Sequence, residues 1–278
     1  LTLSCADRAG IVAAVSGFLF ERQCFVTQSA DFGDPSTGRF FMRVAFKRSA
    51  DGVPLADLLA DFADVAARFG MDWRVHAGDH RLRTLVLVSN QGHCLNDLLY
   101  RWRHRHLPID IVAVASNHET YRPNAAFYEL PFHHLPVTPE TKPVQEAALR
   151  ALIADTRAEL VVLARYMQIF SDDLCRALHG RAINIHHSFL PGFKGAAPYT
   201  QAYRRGVKLI GATAHFVTSD LDEGPIIEQA VEPVDHSHGP DELAAIGRDI
   251  ECRVLARAVK AFGEHRVLLN DGKTVVFK

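Results

Sequence analysis

From residue 82 onward the chain alternates apolar runs with helix-like stretches, and this alternation restricts the fold more than any other feature. Residues 82–88, 109–115 and 160–164 are apolar runs suited to strands buried on both faces, and 132–137 makes a shorter one. Such strands need helices above and below them, and helical periodicity appears at 94–103 and 140–154. The order specifies a parallel sheet with crossover helices, a Rossmann-like doubly wound domain of the α/β class. Sites in such sheets lie at the carboxyl ends of the strands. A helix at 197–205, strands at 209–217 and 225–234, a long helix at 239–262 and a hairpin around Asn270-Asp271-Gly272-Lys273 complete the expectation.

The first eighty residues follow a different plan. A short strand at 1–5 turns at Asp7-Arg8-Ala9-Gly10 into a helix whose apolar positions include Ile11, Val15, Phe18 and Leu19. Two strand-like runs, 25–32 and 39–46, flank the loop Gly33-Asp34-Pro35-Ser36-Thr37-Gly38. A second helix carries Leu55, Leu58, Leu59, Phe62, Val65, Ala66 and Phe69 on one side, and a last strand covers 71–77. This βαββαβ order predicts a four-stranded antiparallel sheet with two helices on one face. The polar link Gly78-Asp79-His80-Arg81 sets the expected boundary between domains at 1–79 and 80–278.

Composition removes several function classes. The chain has 278 residues, 48% hydrophobic and 23% charged, with no apolar run near the roughly 20 residues a bilayer span needs, so no membrane role is expected. The formal net charge of -1, without a Lys/Arg block, argues against a nucleic-acid partner. Five scattered cysteines with no Cys-x-x-Cys pair fit a reducing, cytoplasmic setting. The pairs His133-His134, His186-His187 and His236-x-His238 lack partner ligands at zinc-site spacing, so no metal is expected. The chain begins at Leu1 without methionine, and a few preceding native residues are expected.

Chemistry concentrates in Asn184-Ile185-His186-His187-Ser188-Phe189-Leu190-Pro191, which follows a strand-like lead-in and opens into a Pro/Gly loop. On a strand, Asn184 and His186 project to the same face, an amide donor beside an imidazole, while His187 alternates away. A second turn, Thr218-Ser219-Asp220-Leu221-Asp222-Glu223-Gly224-Pro225, offers a carboxylate. Amide, imidazole and carboxylate together can polarise a carbonyl and move a proton. Singly, each has an ordinary structural reading as a cap, a spacer or a turn residue. By periodicity, Met167, Ile169 and Phe170 read as core, and Cys94 as a packing residue at a helix start.

With Gly-Ala-Thr-Ala-His-Phe-Val-Thr at 211–218 and Leu-Asp-Glu-Gly-Pro-Ile-Ile at 221–227, the 184–191 motif resembles the folate-dependent formyltransferase fold, and within it the formyltetrahydrofolate deformylases. The resemblance implies a catalytic trio of Asn184, His186 and Asp222. It implies a pterin pocket at Met167, Gln168, Ile169 and Phe170, close backbone approach at Gly195, and a supporting or water-positioning role for His215. The implied reaction is hydrolysis of 10-formyltetrahydrofolate to tetrahydrofolate and formate, without cofactor; whether Asp222 or His186 takes the water's proton stays open. The alternative is formyl transfer to an amine such as glycinamide ribonucleotide. In those transferases the first strand-to-helix turn is glycine-rich and holds a phosphate, whereas Ser89-Asn90-Gln91-Gly92-His93-Cys94 has one glycine, which favours water as acceptor. The first unit is similar to an ACT domain, which implies a homo-oligomer and an amino-acid effector near Gly10. A folate-binding regulator without turnover is the rival from outside enzymes, and the intact trio speaks against it.

Overall fold

The computed structural model describes residues 1–49, 53–192 and 198–278. The chain divides into two compact units, one of Leu1–His80 with His265–Asn270 and Val275–Lys278, the other of Arg81–Glu264 with Asp271–Thr274.

The first unit contains β1 (Thr2–Ala6), α1 (Ile11–Glu21), β2 (Cys24–Asp34), β3 (Arg39–Arg48), α2 (Leu55–Phe69) and β4 (Asp72–Arg74). Its strands form an antiparallel sheet in the order β2-β3-β1-β4. Ile11, Val15 and Leu19 from α1 meet Leu58, Phe62 and Ala66 from α2 over Leu3 and Met42 of the sheet. Phe62 anchors this core, edge-on to Phe18 at 5.1 Å and to Trp73 at 4.8 Å; truncation to Ala would cost about 3–5 kcal/mol. Gly10 ends the β1–α1 turn at φ 95°, backbone that a side chain would strain. The carboxyl-terminal segments depart from the two-piece division expected at residue 80. The buried Asn270 Nδ2 donates to Asp34 Oδ2 at 2.6 Å, and His265 stacks on His76 at 3.5 Å. Polar ties of this length leave no trace in local periodicity.

The second unit runs β5 (Leu82–Val88), α3 (His93–Arg103), β6 (Ile109–Ser116), α4 (Arg122–Phe127), β7 (Phe132–His134), α5 (Lys142–Asp155), β8 (Leu160–Leu163), α6 (Asp172–Ala177), β9 (Ala182–His186), α7 (Pro198–Arg205), β10 (Leu209–Phe216), β11 (Ile226–Pro233) and α8 (Pro240–Gly263). A terminal pair, β12 (Val267–Asn270) and β13 (Lys273–Val276), follows. Among the described residues the larger sheet has the order β11-β10-β9-β8-β5-β6-β7. The five strands from β9 to β7 pair in parallel, and β10 and β11 add an antiparallel edge. Leu85, Leu87, Val161 and Leu163 pack against Leu149 of α5 and Leu174 of α6 on one face, and Val86, Val88 and Val162 are fully buried on the other, which is why these strands read as apolar on both faces. The chain leaves β5 for β6 on one side and returns to β8 on the other, so the order reverses between β5 and β8. A crevice opens at their carboxyl ends. No described helix is long and apolar enough to cross a membrane.

Candidate active site

At that reversal the turn after β5 and the loop after β8 are tied together. Ser89 N donates to Arg165 O at 3.2 Å, and Met167 N donates to Ser89 Oγ at 3.0 Å. The far end of the loop is held by Ser171, whose N donates to Glu146 Oε1 at 2.8 Å, while its hydroxyl bonds the other carboxylate oxygen and caps α6. Between these two anchors Met167 and Ile169 are each 59% exposed, and Phe170 is buried. Periodicity placed all three in the core; for Met167 and Ile169 that is corrected, because the pinned loop turns them outward onto a cavity wall. Gln168 lines the same cavity. Apolar side chains held open on a rigid loop are what a flat heterocycle needs.

The cavity has a volume of about 620 Å³, within the range of small-molecule sites. The catalytic candidates line it together: Asn184 and His186 from one face of β9, His215 from β10, and Asp222 from the turn before β11. In the β9–β10 pairing Asn184 stands opposite His215. A bulge between Ala214 and His215, where β11 carries Ile227 as an extra residue, falls where the imidazole must be aimed. Asp222 adopts left-handed backbone at φ 59°, which Asp tolerates better than most residues. Gly224 allows the turn to close on β10, since a Cβ there would stand 1.8 Å from Phe216 O. Gly195 lies outside the described residues.

Hydrogen-bonding roles follow from the partners. His186 Nδ1 lies 3.2 Å from Asp222 Oδ1; a carboxylate only accepts, so Nδ1 carries the proton and Nε2 is the working end. That Nε2 is buried and has no hydrogen-bond partner among the described residues. Burial raises the Asp222 carboxyl, but the hydrogen bond from His186 and the imidazoles of His186, His215 and His187 outweigh it, so the group is held below 3.8 and ionised. For His215, burial comes first and lowers its pKa below 6.5, which keeps the ring neutral at pH 7 despite the opposing pull of Phe216 O and Asp222. Its Nδ1 donates to Phe216 O at 2.9 Å, leaving Nε2 as an acceptor for Asn184 Nδ2 at 3.2 Å. The 3.7 Å approach of His215 Nε2 to Asp222 Oδ1 is therefore no ion pair. The Asn184 amide is thus oriented, with a second N–H left to donate. His187 does not turn away as alternation predicts: its ring stacks on His186 at 4.7 Å, because β9 ends at His186 and the strand period lapses.

Sequence reading missed part of the wall: Gln91, Arg165, Tyr199, Arg248 and Glu251. The one available signal was Glu251, a carboxylate one residue after Ile250 on the apolar face of α8. The donor atoms of His93, Cys94 and Glu251 lie within 4.8 Å of one another, close enough to share a metal ion. Two features oppose that use. Arg165 already stands 3.3 Å from the carboxylate, and the Cys94 thiol is pushed well above its usual range by its hydrogen bond with Cys252, then by burial. The raised value also makes Cys94 a poor nucleophile.

Comparison with known proteins accords with this geometry. A family model described as Formyl transferase matches residues 82–259. A formyltetrahydrofolate deformylase from Corynebacterium sp. (strain P-1) is 51% identical, covering 100% of this chain and 97% of that protein. The crystal structure of a formyltetrahydrofolate deformylase from Burkholderia mallei ATCC 23344 is 54% identical, with TM-score 0.96 over 100% of this chain and 98% of that one. Glycinamide ribonucleotide transformylase 1 from Symbiobacterium toebii is further away, 30% identical with TM-score 0.68, covering 74% of this chain and 99% of its own. With similarity of this strength along its whole length, the chain belongs to the formyltetrahydrofolate deformylase family, within the formyl transferase fold.

Proposed function

We propose that the chain hydrolyses 10-formyltetrahydrofolate to tetrahydrofolate and formate, with Asn184, His186 and Asp222 as its catalytic residues and no cofactor. The observation that carries the reading is the His186–Asp222 contact at 3.2 Å beside an oriented Asn184 amide, all on one cavity wall. The pterin stacks against Met167 and Ile169, with Gln168 beside it, and Phe170 supports the loop from beneath. Water attacks the formyl carbon, and the carbonyl oxygen becomes an oxyanion that the free Asn184 N–H stabilises. Asp222, ionised, holds the water and takes its proton; His186, protonated on both ring nitrogens when the step begins, delivers the Nε2 proton to N10 as the carbon–nitrogen bond breaks, and the proton gained by Asp222 then recharges the ring. His215 positions Asn184 and does not itself meet the formyl group.

Incubation of the protein with 10-formyltetrahydrofolate alone should release formate stoichiometrically with tetrahydrofolate. Product formed only when glycinamide ribonucleotide is added would overturn hydrolysis in favour of transfer.

The first unit acts as an assembly module in this reading. Its edge strand β2 is largely exposed and carries Phe25 at 72% and Phe32 at 44% exposure, an edge that pairing with a second copy would cover. Light scattering should find an oligomer, and Phe25→Lys should dissociate it; a monomeric wild type would remove the proposal. An amino-acid effector fits the cavity lined by Arg8, Gly10, Ser16 and Phe40, where the start of α1 has no side-chain cap. The cysteines, none in a disulfide, support a reducing cytoplasmic location.

A further inference from the structure

The cavity has a second polar cluster that the hydrolysis above does not use. Glu251, 1% exposed, accepts from Tyr199 Oη at 2.7 Å through Oε1. Its Oε2 lies 2.8 Å from His93 Nε2 and 3.3 Å from Arg165 Nε, and Arg165 in turn donates to Gln91 Oε1 at 3.2 Å. Four pieces of chain converge here: α8, α7, the start of α3 and the loop after β8. Burial alone would raise the Glu251 carboxyl; the His93 hydrogen bond, the Arg165 charge and the Tyr199 hydroxyl reverse this, and the group stays ionised at neutral pH. The burial and the negative charge of Glu251 push the Tyr199 phenol the other way, so it remains a donor.

The packing is built around this cluster. Gly247 sits one turn before Glu251, and a Cβ there would stand 2.0 Å from Tyr199 Oη, so only glycine lets the phenol reach the carboxylate. The turn after β5 is filled in the same manner. A Cβ on Gly92 would meet Tyr121 Cε1 at 2.2 Å, Tyr121 Oη donates to Asn90 O at 3.0 Å, and Ser89 Oγ donates to Asn117 Oδ1 at 2.6 Å. Ser89, Asn90, Asn117 and Tyr121 of this turn and its neighbour are therefore engaged with one another, as Glu251 is with its own partners.

We propose that the Arg165–Glu251–His93–Tyr199 cluster determines acceptor specificity: it occupies the space and the hydrogen-bonding groups that an amine acceptor would need, and leaves water as the nucleophile. This rests on the hydrolase reading and explains how one fold can serve either acceptor. Transfer and hydrolysis make the same exchange at carbon. An amine nitrogen, or a water oxygen, bonds to the formyl carbon; the bond to N10 breaks; and the proton lost by the nucleophile ends on N10. What differs is which nucleophile can approach, and the cluster sets that by engaging both oxygens of the buried Glu251, which makes it costly to open.

The test is a partition ratio. The full chain is incubated with 10-formyltetrahydrofolate and excess glycinamide, and formate and formylglycinamide are measured together. Wild type should give formate only. Tyr199→Ala with His93→Ala, which opens the cluster while leaving the Glu251–Arg165 pair, should raise the formylglycinamide-to-formate ratio to at least tenfold above the detection limit that bounds the wild type, and Tyr199→Phe should raise it less. The ratio is taken per turnover, so partial unfolding lowers both products equally and cannot imitate the effect. Variants that release formate at the wild-type ratio overturn the specificity role, as does a wild type that formylates glycinamide. A wild type that releases no formate sinks the hydrolase reading, and this inference with it.

Discussion

Two buried polar clusters share one cavity, and they are finished to different degrees. Around Glu251 both carboxylate oxygens are engaged, by Tyr199 on one side and by His93 and Arg165 on the other. Around Asp222 the contacts stop short: His186 Nε2 has no partner among the described residues, and the Asn184 amide spends one N–H on His215. Arg165 Nε is also buried without a hydrogen bond but keeps an ion pair with Glu251, whereas His186 Nε2 has no partner of either kind among the described residues, and an unpartnered buried group costs free energy that is kept only where something else will use it. On the proposed reading, this difference suits one cluster to the wall and the other to the chemistry.

Disrupting the chemistry should have the largest effect. His186→Ala and Asp222→Asn should each lower kcat by about 10³–10⁴-fold, and the double variant should be little worse than either single. Steady-state assays that gave the product of two independent losses would separate the pair. Next comes Glu251→Ala, which strands the Arg165 charge and should cost about 3–5 kcal/mol of folding stability, read by denaturant titration. Asp222→Asn, in a cluster never completed, should cost far less; equal losses would erase the contrast. Asn184→Ala should reduce kcat by about 10²–10³-fold with KM for the folate nearly unchanged, and an unchanged kcat would remove it from the site.

These contrasts were unequally legible in the sequence. Apolar runs at 82–88, 109–115 and 160–164 carried the parallel sheet, because strands buried on both faces have no other composition. Alternation placed Asn184 and His186 on one face, and the turn chemistry around Asp222 marked the third group, which the fold brings within 3.2 Å of His186. Other features left less trace. Met167 and Ile169 looked like core by periodicity, and only the resemblance put them in a pocket, since periodicity cannot tell a side chain covered by protein from one held open on a pinned loop. Arg165, Tyr199 and Glu251 come from separate elements and have no local pattern in common. The return of 265–270 to the first unit is tied by an amide reaching Asp34 and a ring stacked on His76, contacts that span the length of the chain.

His215 lies between the two kinds of cluster, since its ring is satisfied and yet serves Asn184. Its replacement by Ala should release one orienting hydrogen bond, worth about 1 kcal/mol, or roughly fivefold in kcat. In an Asn184→Ala background the same change should do almost nothing, which a merely structural histidine would not show.

The smallest effect concerns acid, and it tests whether both carboxylates are ionised pairs. Asp222 is held below 3.8 and Glu251 below 4.5 in the folded protein. For a depressed carboxyl the unfolded chain takes up the proton first, so stability is retained above the unfolded value and lost as pH falls through the folded one. Thermal unfolding against pH should therefore show the carboxylate's part of the wild-type advantage over Glu251→Gln intact above 4.5 and shrinking only below it. The advantage over Asp222→Asn should hold to 3.8 before it declines. A gap that closed near neutrality would mean that the folded carboxyl binds a proton there, and neither the ionised wall nor the ionised base would survive that result.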